Sequence, residues 1–197
     1  MKEGTKKRVD PRITRTRQLI KDAFIELLEE MEISKITVNR IAERATVNRV
    51  TFYLHYRDIQ DMLENMAQEM GKEIEQILRR SEINTKSMEE IDSLMLLNLL
   101  EHIAENAKFY KVVLASTQTP IFTQQLLDII TETITKRREI DSLHVKMDIQ
   151  RDIIIWYGSS ALIGTIVSWL RNDMPYTPHF LAKQLSLLFR IGNKVEK

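Results

Sequence analysis

Apolar residues recur three and four positions apart along most of the chain, which is the spacing of a helix that buries one face. No segment alternates convincingly between apolar and polar residues at the period of two that indicates a strand. We therefore expect an all-α fold, with an N-terminal three-helix domain at residues 1–57 and a helical domain at residues 58–197. The predicted helices, about nine in number, cover 14–31, 37–45, 49–55, 58–80, 87–106, 108–115, 120–138, 148–171 and 177–191.

Several of these stretches begin with residues that satisfy the free N–H groups of a first helical turn. Pro120 and Pro178 suit the first helical position, and Glu90 completes a capping box. Gly192 is expected to end the last helix. The predicted N-caps are Thr37, Asn48, Asp58, Ser87, Thr119 and Thr177.

Two short helices joined by a tight turn lie between residues 37 and 56 and predict a helix-turn-helix. Ala42 and Ala45 allow a second helix to cross the first closely, and the second helix is short. In such motifs the second helix enters the major groove of DNA. Arg49 can donate two parallel hydrogen bonds to guanine, and Val50 or Thr51 can contact a thymine methyl group.

The stretch 41–58, IAERATVNRVTFYLHYRD, resembles the signature of TetR/AcrR-type transcriptional regulators. The resemblance implies a DNA-binding domain in which Thr37, Tyr53 and His55 contact phosphates, which sets register without specifying sequence. The full predicted set of DNA contacts is Thr37, Asn39, Asn48, Arg49, Val50, Thr51, Tyr53, His55 and Tyr56.

Two positions depart from that signature. Thr46 stands where the family usually has glycine, so either the turn lacks left-handed geometry at this residue or the residue is strained. Ile59 stands where the next helix often begins with a basic residue, and Arg57 could replace the phosphate contact that is lost.

The second half resembles the C-terminal domain of a subgroup of these regulators common in Gram-positive bacteria, through FYKV at 109–112, PIF at 120–122, IG at 163–164, SWL at 168–170 and Ala182. The resemblance implies an inducer site between the middle helices and the long penultimate one. A site lined by aromatic and methionine side chains would suit a small apolar or aromatic effector, although aromatic residues at helical spacing usually pack the core. The candidate walls are Met95, Phe109, Tyr110, Phe122, Trp156 and Tyr157.

The last two predicted helices suggest a homodimer built as a four-helix bundle across a two-fold axis. Gly158, Ser160, Ala161 and Gly164 would allow a partner helix to approach closely, and a two-fold protein implies a palindromic operator. The 18 uncharged residues at 153–170 also reach the length of a marginal transmembrane helix. Their polar interruptions favour a helix buried between subunits, so we expect no membrane association. The apolar residues expected at the interface are Ile154, Ala161, Ile166, Trp169, Leu170, Leu181, Leu185, Leu188 and Phe189.

Charge is distributed unevenly, with 13 Lys and Arg against 9 Asp and Glu in residues 1–60, but 16 against 19 in the remainder. A basic front on a slightly acidic body is expected of a protein whose N-terminal part meets DNA. The arm at residues 1–12, MKEGTKKRVDPR, could reach along the DNA or be a solvated tail.

Motifs for catalysis are missing from the sequence. The chain has no cysteine, which excludes thiolate catalysis and zinc-thiolate sites, and it has no phosphate-binding loop or HExxH motif. The pairs His102/Glu105 and His144/Asp148 have helical spacing, so each could share a helix face and ligate a metal, but surface pairs of this kind are common. We therefore expect no enzyme, no metal and no cofactor, and a cytoplasmic location.

The sequence favours a ligand-responsive repressor that binds double-stranded DNA. The alternative is a DNA-binding regulator whose body binds a protein partner and no small-molecule inducer. An all-α enzyme would need a cluster of acids or histidines that the sequence does not reveal.

Overall fold

The computed structural model describes residues 10–81, 88–141 and 149–194, with side chains at 10–81, 90–136 and 149–188. Within these ranges the chain is all-α, as predicted, with nine α-helices and one 3₁₀ turn at Ile33–Lys35. Residues 1–9 of the predicted arm at 1–12, the Ser87 cap and the His144/Asp148 pair lie outside the described residues. The helices are α1 (Pro11–Glu30), α2 (Val38–Arg44), α3 (Arg49–Tyr53), α4 (Ile59–Ser81), α5 (Met88–Glu105), α6 (Ala107–Leu114), α7 (Pro120–Asp141), α8 (Arg151–Arg171) and α9 (Pro178–Lys194).

The chain forms two compact units, residues 1–64 and 65–197, whose boundary falls inside α4. The functional boundary that we placed after residue 57 stays a prediction. In the first unit, α2 packs against both α1 and α3. The buried apolar side chains of this unit include Ile20, Ala23, Phe24, Leu27, Leu28, Ile36, Ile41, Ala42, Ala45, Phe52, Tyr56, Met62 and Leu63.

Helix α1 begins three residues earlier than predicted, because Asp10 caps it and Pro11 occupies its first turn. Asp10 Oδ1 accepts from the backbone N–H of Arg12 at 2.9 Å. Arg15 and Arg17 therefore lie in the second turn of α1.

Arg44 joins α2 to α1 by ion pairs. Its guanidinium lies 2.7 Å from Glu30 and 3.3 Å from Glu26. The hydrogen bond from Arg44 lowers the pKa of Glu30 below its ordinary value. These contacts hold α2, the first helix of the helix-turn-helix, against α1.

The start of α4 carries a reciprocal acidic cap. Asp58 Oδ1 accepts from the backbone N–H of Asp61 at 2.8 Å, and Asp61 Oδ2 accepts from that of Arg57 at 2.9 Å. The backbone hydrogen bond from Arg57, aided by its guanidinium, lowers the pKa of Asp61. Arg57, our candidate for a replacement phosphate contact, is thus held against Asp61 at 3.1 Å while its side chain stays exposed.

In the second unit, α5 packs along α9 and α7 along α8, while α6 contacts α5, α7 and α8. Gly71 in α4 allows a close approach, since a Cβ there would come within 2.8 Å of Gln125 Nε2 and 3.1 Å of Ile129 Cδ1. The buried apolar side chains include Met95, Leu99, Leu100, Ile103, Tyr110, Val113, Leu114, Phe122, Leu126, Ile129, Ile130, Ile155, Leu162, Ile166, Trp169, Leu170, Leu181, Ala182 and Leu185.

Three of the predicted helix ends in this unit were wrong. Helix α7 ends at Asp141, after the predicted end at residue 138. Helix α8 begins at Arg151, after the predicted start at residue 148, and α9 continues through Gly192 to Lys194. The Thr177 cap is confirmed, because its hydroxyl oxygen accepts from the backbone N–H of Phe180 at 3.3 Å. Thr119 instead donates its hydroxyl hydrogen to the carbonyl of Val113 at 3.1 Å.

Helix α8 is long and apolar enough to cross a membrane by length and composition alone. One side of it is buried, and the other side, here called the α8 face, is exposed and carries no charge. The α8 face consists of Ile153, Trp156, Tyr157, Ser160, Ala161 and Gly164.

The apolar side that we expected at a subunit interface was partly the wrong one. Of the nine residues named for it, eight have described side chains, and five of these eight are buried inside this single chain; the side chain of Phe189 lies outside the described part. A residue packed in the core of its own chain cannot also contact a partner subunit. A subunit interface would therefore be formed by residues other than these five. The five buried residues are Ile166, Trp169, Leu170, Leu181 and Leu185.

Candidate nucleic-acid interface

The turn between α2 and α3 is a Schellman motif. The backbone N–H of Val47 donates to Ala42 at 2.9 Å, and that of Thr46 donates to Glu43 at 3.1 Å. Thr46 has a φ of 56°. Glycine adopts this conformation freely, whereas an L side chain, above all a β-branched one, adopts it at a cost of about 1–2 kcal/mol. The position therefore keeps the left-handed geometry and is strained.

Side-chain caps begin both helices of the motif, as predicted. Thr37 Oγ1 accepts from the backbone N–H of Arg40 at 3.3 Å, and Asn48 Oδ1 accepts from that of Val50 at 2.9 Å. Capping uses the acceptor atoms, so the hydroxyl hydrogen of Thr37 and the amide NH₂ of Asn48 are still donors suited to phosphate. Both side chains are exposed.

Helix α3 has only five residues and depends on packing for its stability, because an isolated helix of this length does not persist in water. Phe52 is completely buried and fastens one side of α3 to the core. Its ring lies 5.6 Å from that of Tyr53, edge to face, and 5.7 Å from that of Tyr56. The opposite side of this single helical turn is left at the surface.

The structure brings eight of the nine predicted DNA-contacting residues to the surface of the first unit. Most of them belong to α3 and the two caps, and Asn39 lies on α2. The exposed residues are Thr37, Asn39, Asn48, Arg49, Val50 and Tyr53, and the partly exposed ones are Thr51 and His55.

Tyr56 is the exception, and its prediction as a DNA contact is corrected by its burial, with only 1% of its surface exposed. Its hydroxyl oxygen accepts from Arg17 Nε at 2.9 Å, and the same guanidinium lies 5.3 Å from the ring centroid. Tyr56 therefore ties α1 to the segment after α3 and lies beneath the surface that could meet a phosphate.

Arg49 and Tyr53 lie one helical turn apart on α3 and contact each other. Arg49 Nη2 donates to Tyr53 Oη at 3.1 Å, and the guanidinium carbon lies 5.5 Å from the ring centroid. Both side chains are exposed. We had assigned a base contact to Arg49 and a phosphate contact to Tyr53 as separate roles, but the structure places the two side chains together.

Leu54 is a surface residue that sequence reasoning missed. It is 79% exposed and lies four positions after Val50, which is 66% exposed. The sequence did contain an indication of this, because a leucine on the polar side of a short helix cannot be buried in the core. Arg49, Val50, Tyr53 and Leu54 together form a surface that we call the α3 face.

His55 follows Leu54 just after the end of α3 and is partly buried. Burial, and secondarily the charge of Arg17, lower the pKa of His55 below its ordinary value. In the free protein near neutral pH, the imidazole is therefore largely neutral.

In the second unit, four of the six predicted effector-site residues lie in the interior or at its edge. Tyr110 and Phe122 are fully buried, Met95 is buried, and Phe109 is partly exposed. The ring of Phe109 lies 5.2 Å from that of Tyr110 and 5.7 Å from that of Phe122, edge to face in both cases. These three rings join α6 to α7.

Tyr110 also brings a polar group into this interior. His102 Nε2 lies 2.9 Å from Tyr110 Oη. Burial, and secondarily the charge of Glu73, raise the pKa of the Tyr110 hydroxyl, which therefore stays protonated. His102 was considered as a metal ligand, but in the described ranges no three His, Asp or Glu side chains converge.

Trp156 and Tyr157 are placed elsewhere. They are 62% and 74% exposed on the α8 face, whereas the wall of an internal cavity must be buried. In the single chain they do not belong with the interior aromatic residues, and their assignment to the same cavity is corrected. Their sequence signal, two aromatics in an uncharged helix, does not distinguish an inner from an outer surface.

Two family models match the chain. The first, described as bacterial regulatory proteins of the tetR family, matches residues 20–66 and thus the helix-turn-helix. The second, described as a transcriptional regulator C-terminal region, matches residues 93–190.

Individual relatives agree with these matches. An uncharacterized HTH-type transcriptional regulator of Bacillus subtilis, YxbF, is 25% identical over 182 residues, which are 90% of this chain and 45% of the relative. The chain thus spans about half the length of this curated relative.

Solved structures of similar proteins match almost end to end. A TetR transcriptional regulator from Streptococcus agalactiae is 25% identical, with a TM-score of 0.68 over 90% of this chain and 94% of that one. FadR from Bacillus subtilis, solved in complex with stearoyl-CoA, is 20% identical, with a TM-score of 0.64 over 87% and 96%.

Proposed function

The chain belongs to the TetR family of transcriptional regulators, and from that premise we propose that it is a ligand-responsive repressor that binds a palindromic operator as a homodimer. A ligand that prefers the conformation with low DNA affinity shifts the population and releases the operator.

The observation that carries the DNA-binding part of the proposal is the α3 face. Phe52 holds one turn of helix against the core, and on the opposite side Arg49 and Val50 are exposed. Arg49 suits the O6 and N7 atoms of guanine, and the methyl groups of Val50 suit a thymine methyl. Further hydrogen-bond donors for phosphate are available at the surface of the same unit, on Thr37, Asn39, Asn48, Thr51, Tyr53 and His55.

The basic excess of residues 1–60 supports the same proposal. Neutralising phosphates with Lys and Arg releases counterions, so the affinity is expected to fall steeply with salt. In the folded unit part of this charge is used internally, since Arg44 pairs with Glu26 and Glu30. Arg49 is therefore a better candidate than Arg44 for a DNA contact.

The α8 face supports a homodimer formed through the last two helices. A contiguous exposed apolar surface of this kind marks an interaction site. An added Cβ at Gly164 meets no heavy atom within 4 Å, so the C-terminal end of the face is open to a second helix. On α9, Phe180, Leu187 and Leu188 are also exposed.

An apolar effector is supported by the interior aromatic residues. Met95, Phe109, Tyr110 and Phe122 lie in the second unit, and FadR of Bacillus subtilis binds stearoyl-CoA with a similar fold. A protonated tyrosine hydroxyl beside His102 would supply a polar contact for one end of such a ligand. No catalytic step belongs to the proposal, and the protein is expected to act in the cytoplasm, where the DNA lies.

Selection of binding sites from random duplex DNA, with the full chain and at two salt concentrations, tests the DNA-binding part. We expect a palindromic consensus whose half-sites are one helical turn or more apart. Salt-sensitive binding without a consensus would leave only the phosphate interaction, and would contradict a sequence-specific regulator.

Release of the selected operator tests the effector. Long-chain acyl-CoA and free coenzyme A form a matched pair, and only the former is expected to dissociate the complex and raise the melting temperature. If no apolar ligand has either effect while a protein partner does, the alternative regulator without a small-molecule inducer replaces this part of the proposal.

A further inference from the structure

The contact between Arg49 and Tyr53 combines two interactions on one exposed helical turn. Arg49 Nη2 donates to Tyr53 Oη at 3.1 Å, and the guanidinium carbon lies 5.5 Å from the ring centroid. Residues four apart in a helix are neighbours on its surface, so the contact between Arg49 and Tyr53 forms within α3 and does not depend on another helix.

The ring of Tyr53 packs against a buried aromatic residue. Its ring meets the ring of Phe52 edge to face, with centroids 5.6 Å apart and an interplanar angle of 88°. Phe52 is completely buried. The position of the tyrosine ring is therefore linked to the core, and the ring can hold the more flexible side chain that lies against it.

An arginine that reads a guanine benefits from such a contact. A free arginine side chain has about 2 kcal/mol of rotamer entropy to lose when it is fixed. A guanidinium has five N–H donors, and one bond to Tyr53 leaves enough of them for two parallel bonds to guanine. The tyrosine oxygen that accepts from Arg49 still carries its own hydrogen, which can be donated to a phosphate.

We propose that Tyr53 is a positioning residue for Arg49, so that the pair, and not Arg49 alone, determines which base is preferred at one operator position. This inference rests on the proposed function, because it assigns the source of specificity within the same surface. It also changes the expectation for Tyr53, which as a phosphate contact alone would raise the affinity for every sequence equally.

The test compares Arg49→Ala, Tyr53→Phe, Tyr53→Leu and the double variant Arg49→Ala/Tyr53→Phe. For each, the affinity is measured for the selected operator and for every single-base change in one half-site. Tyr53→Phe keeps the ring and loses the hydrogen bond, whereas Tyr53→Leu loses both interactions. Asn39→Ala is the matched control, since Asn39 is an exposed residue of the interface and lies on α2.

We expect Arg49→Ala to relax the preference at one base pair, and Tyr53→Phe to relax the preference at that same base pair about threefold to tenfold. Tyr53→Leu should approach the effect of Arg49→Ala. In the Arg49→Ala background, Tyr53→Phe should add no further loss of discrimination, because the two residues act as a unit. Asn39→Ala should lower the affinity for all sequences alike.

A uniform loss of affinity in Tyr53→Phe, additive with Arg49→Ala, would overturn the inference and restore a phosphate-only role. An unchanged preference in Arg49→Ala would also overturn it, while leaving a sequence-specific regulator in place. Failure of the proposed function is distinguishable, because it appears as the lack of a consensus with the unaltered protein. A readout without DNA is the NMR relaxation of Arg49 Nε, which should report greater mobility in Tyr53→Phe; unchanged mobility would overturn the positioning role.

Discussion

Helices α3 and α8 both expose large apolar side chains, but the surroundings of those side chains differ. On the α3 face, Val50 and Leu54 lie beside Arg49 in a unit with an excess of basic residues. On the α8 face, Trp156 and Tyr157 have small uncharged neighbours. An apolar patch beside a cation suits a DNA groove, where methyl groups adjoin phosphates. An uncharged apolar stripe suits packing against a second helix. The charge of the neighbouring residues therefore indicates which partner an exposed apolar patch contacts, whereas exposure alone does not.

The largest expected effect comes from placing a charge on the α8 face. Gly164→Arg should leave the single chain folded, since an added Cβ at this position meets nothing within 4 Å and glycine is a poor helix former. An unpaired guanidinium in a dimer interface costs about 3–5 kcal/mol. We expect the dimer to dissociate at micromolar concentration and operator affinity to fall at least about a hundredfold.

Sedimentation velocity and operator binding are the two measurements for this variant. Gly164→Ala is the matched control for helix propensity, and Glu101→Arg is a control for charge at an exposed position on α5. A dimer that withstands Gly164→Arg would show that a surface other than the α8 face joins the subunits.

The part of the site that could be predicted from the sequence is the part determined by local rules. Thr37 and Asn48 cap helices wherever such helices form, so their positions followed from spacing alone. Left-handed geometry at Thr46 was one of two open alternatives, because a threonine does not itself reveal that the fold forces this conformation on it.

What the sequence could not decide was which apolar side of a helix faces inward. Helix α8 is apolar around most of its circumference, so Ile166 and Trp169 resembled interface residues as closely as Trp156 did. Packing against α6 and α7 decides the matter. Tyr56 was misassigned for the same reason, since one side chain serves equally well as a buried ring or as a phosphate donor.

Tyr56→Phe separates stability from DNA contact. The hydroxyl oxygen accepts from Arg17 at 2.9 Å, and hydrogen bonds to charged groups contribute about 1.5–3 kcal/mol. We expect the free energy of unfolding to fall by roughly this amount, measured by urea denaturation, while the operator affinity of the folded protein is unchanged. Unchanged stability with weaker binding would mean that Tyr56 contacts DNA after all.

Leu54→Ala should do the opposite. Because Leu54 is 79% exposed, its truncation should change the free energy of unfolding by less than about 0.5 kcal/mol. Loss of its apolar contact with DNA should lower the operator affinity by about 1 kcal/mol. Leu28→Ala, a truncation of a buried leucine on α1, provides the contrast, with a large loss of stability. If Leu54→Ala binds the operator as tightly as the unaltered protein, Leu54 lies outside the contact surface.

Thr46→Gly tests the strain at the turn that joins the two helices. Glycine relieves the steric cost of a φ of 56° but loses more backbone entropy on folding, so the net gain in stability should be about 1 kcal/mol. Thr46→Ala, which removes only the β-branch, should gain less. Both are measured by thermal and urea unfolding, and a loss of stability in Thr46→Gly would indicate that the hydroxyl or methyl group makes a contact worth more than the strain.

The smallest expected effect is the pH dependence introduced by His55. Burial, and secondarily Arg17, lower its pKa in the folded protein, so the unfolded chain binds a proton more readily. The favourable contribution to stability is therefore complete above the unfolded pKa of about 6.5, and it is lost as the pH falls through the lower folded value. His55→Gln should flatten this part of the profile between about pH 7.5 and 5. A phosphate beside the ring would raise the pKa of His55 in the operator complex. NMR titration of the free and the bound protein therefore distinguishes a histidine that contacts a phosphate from one that does not.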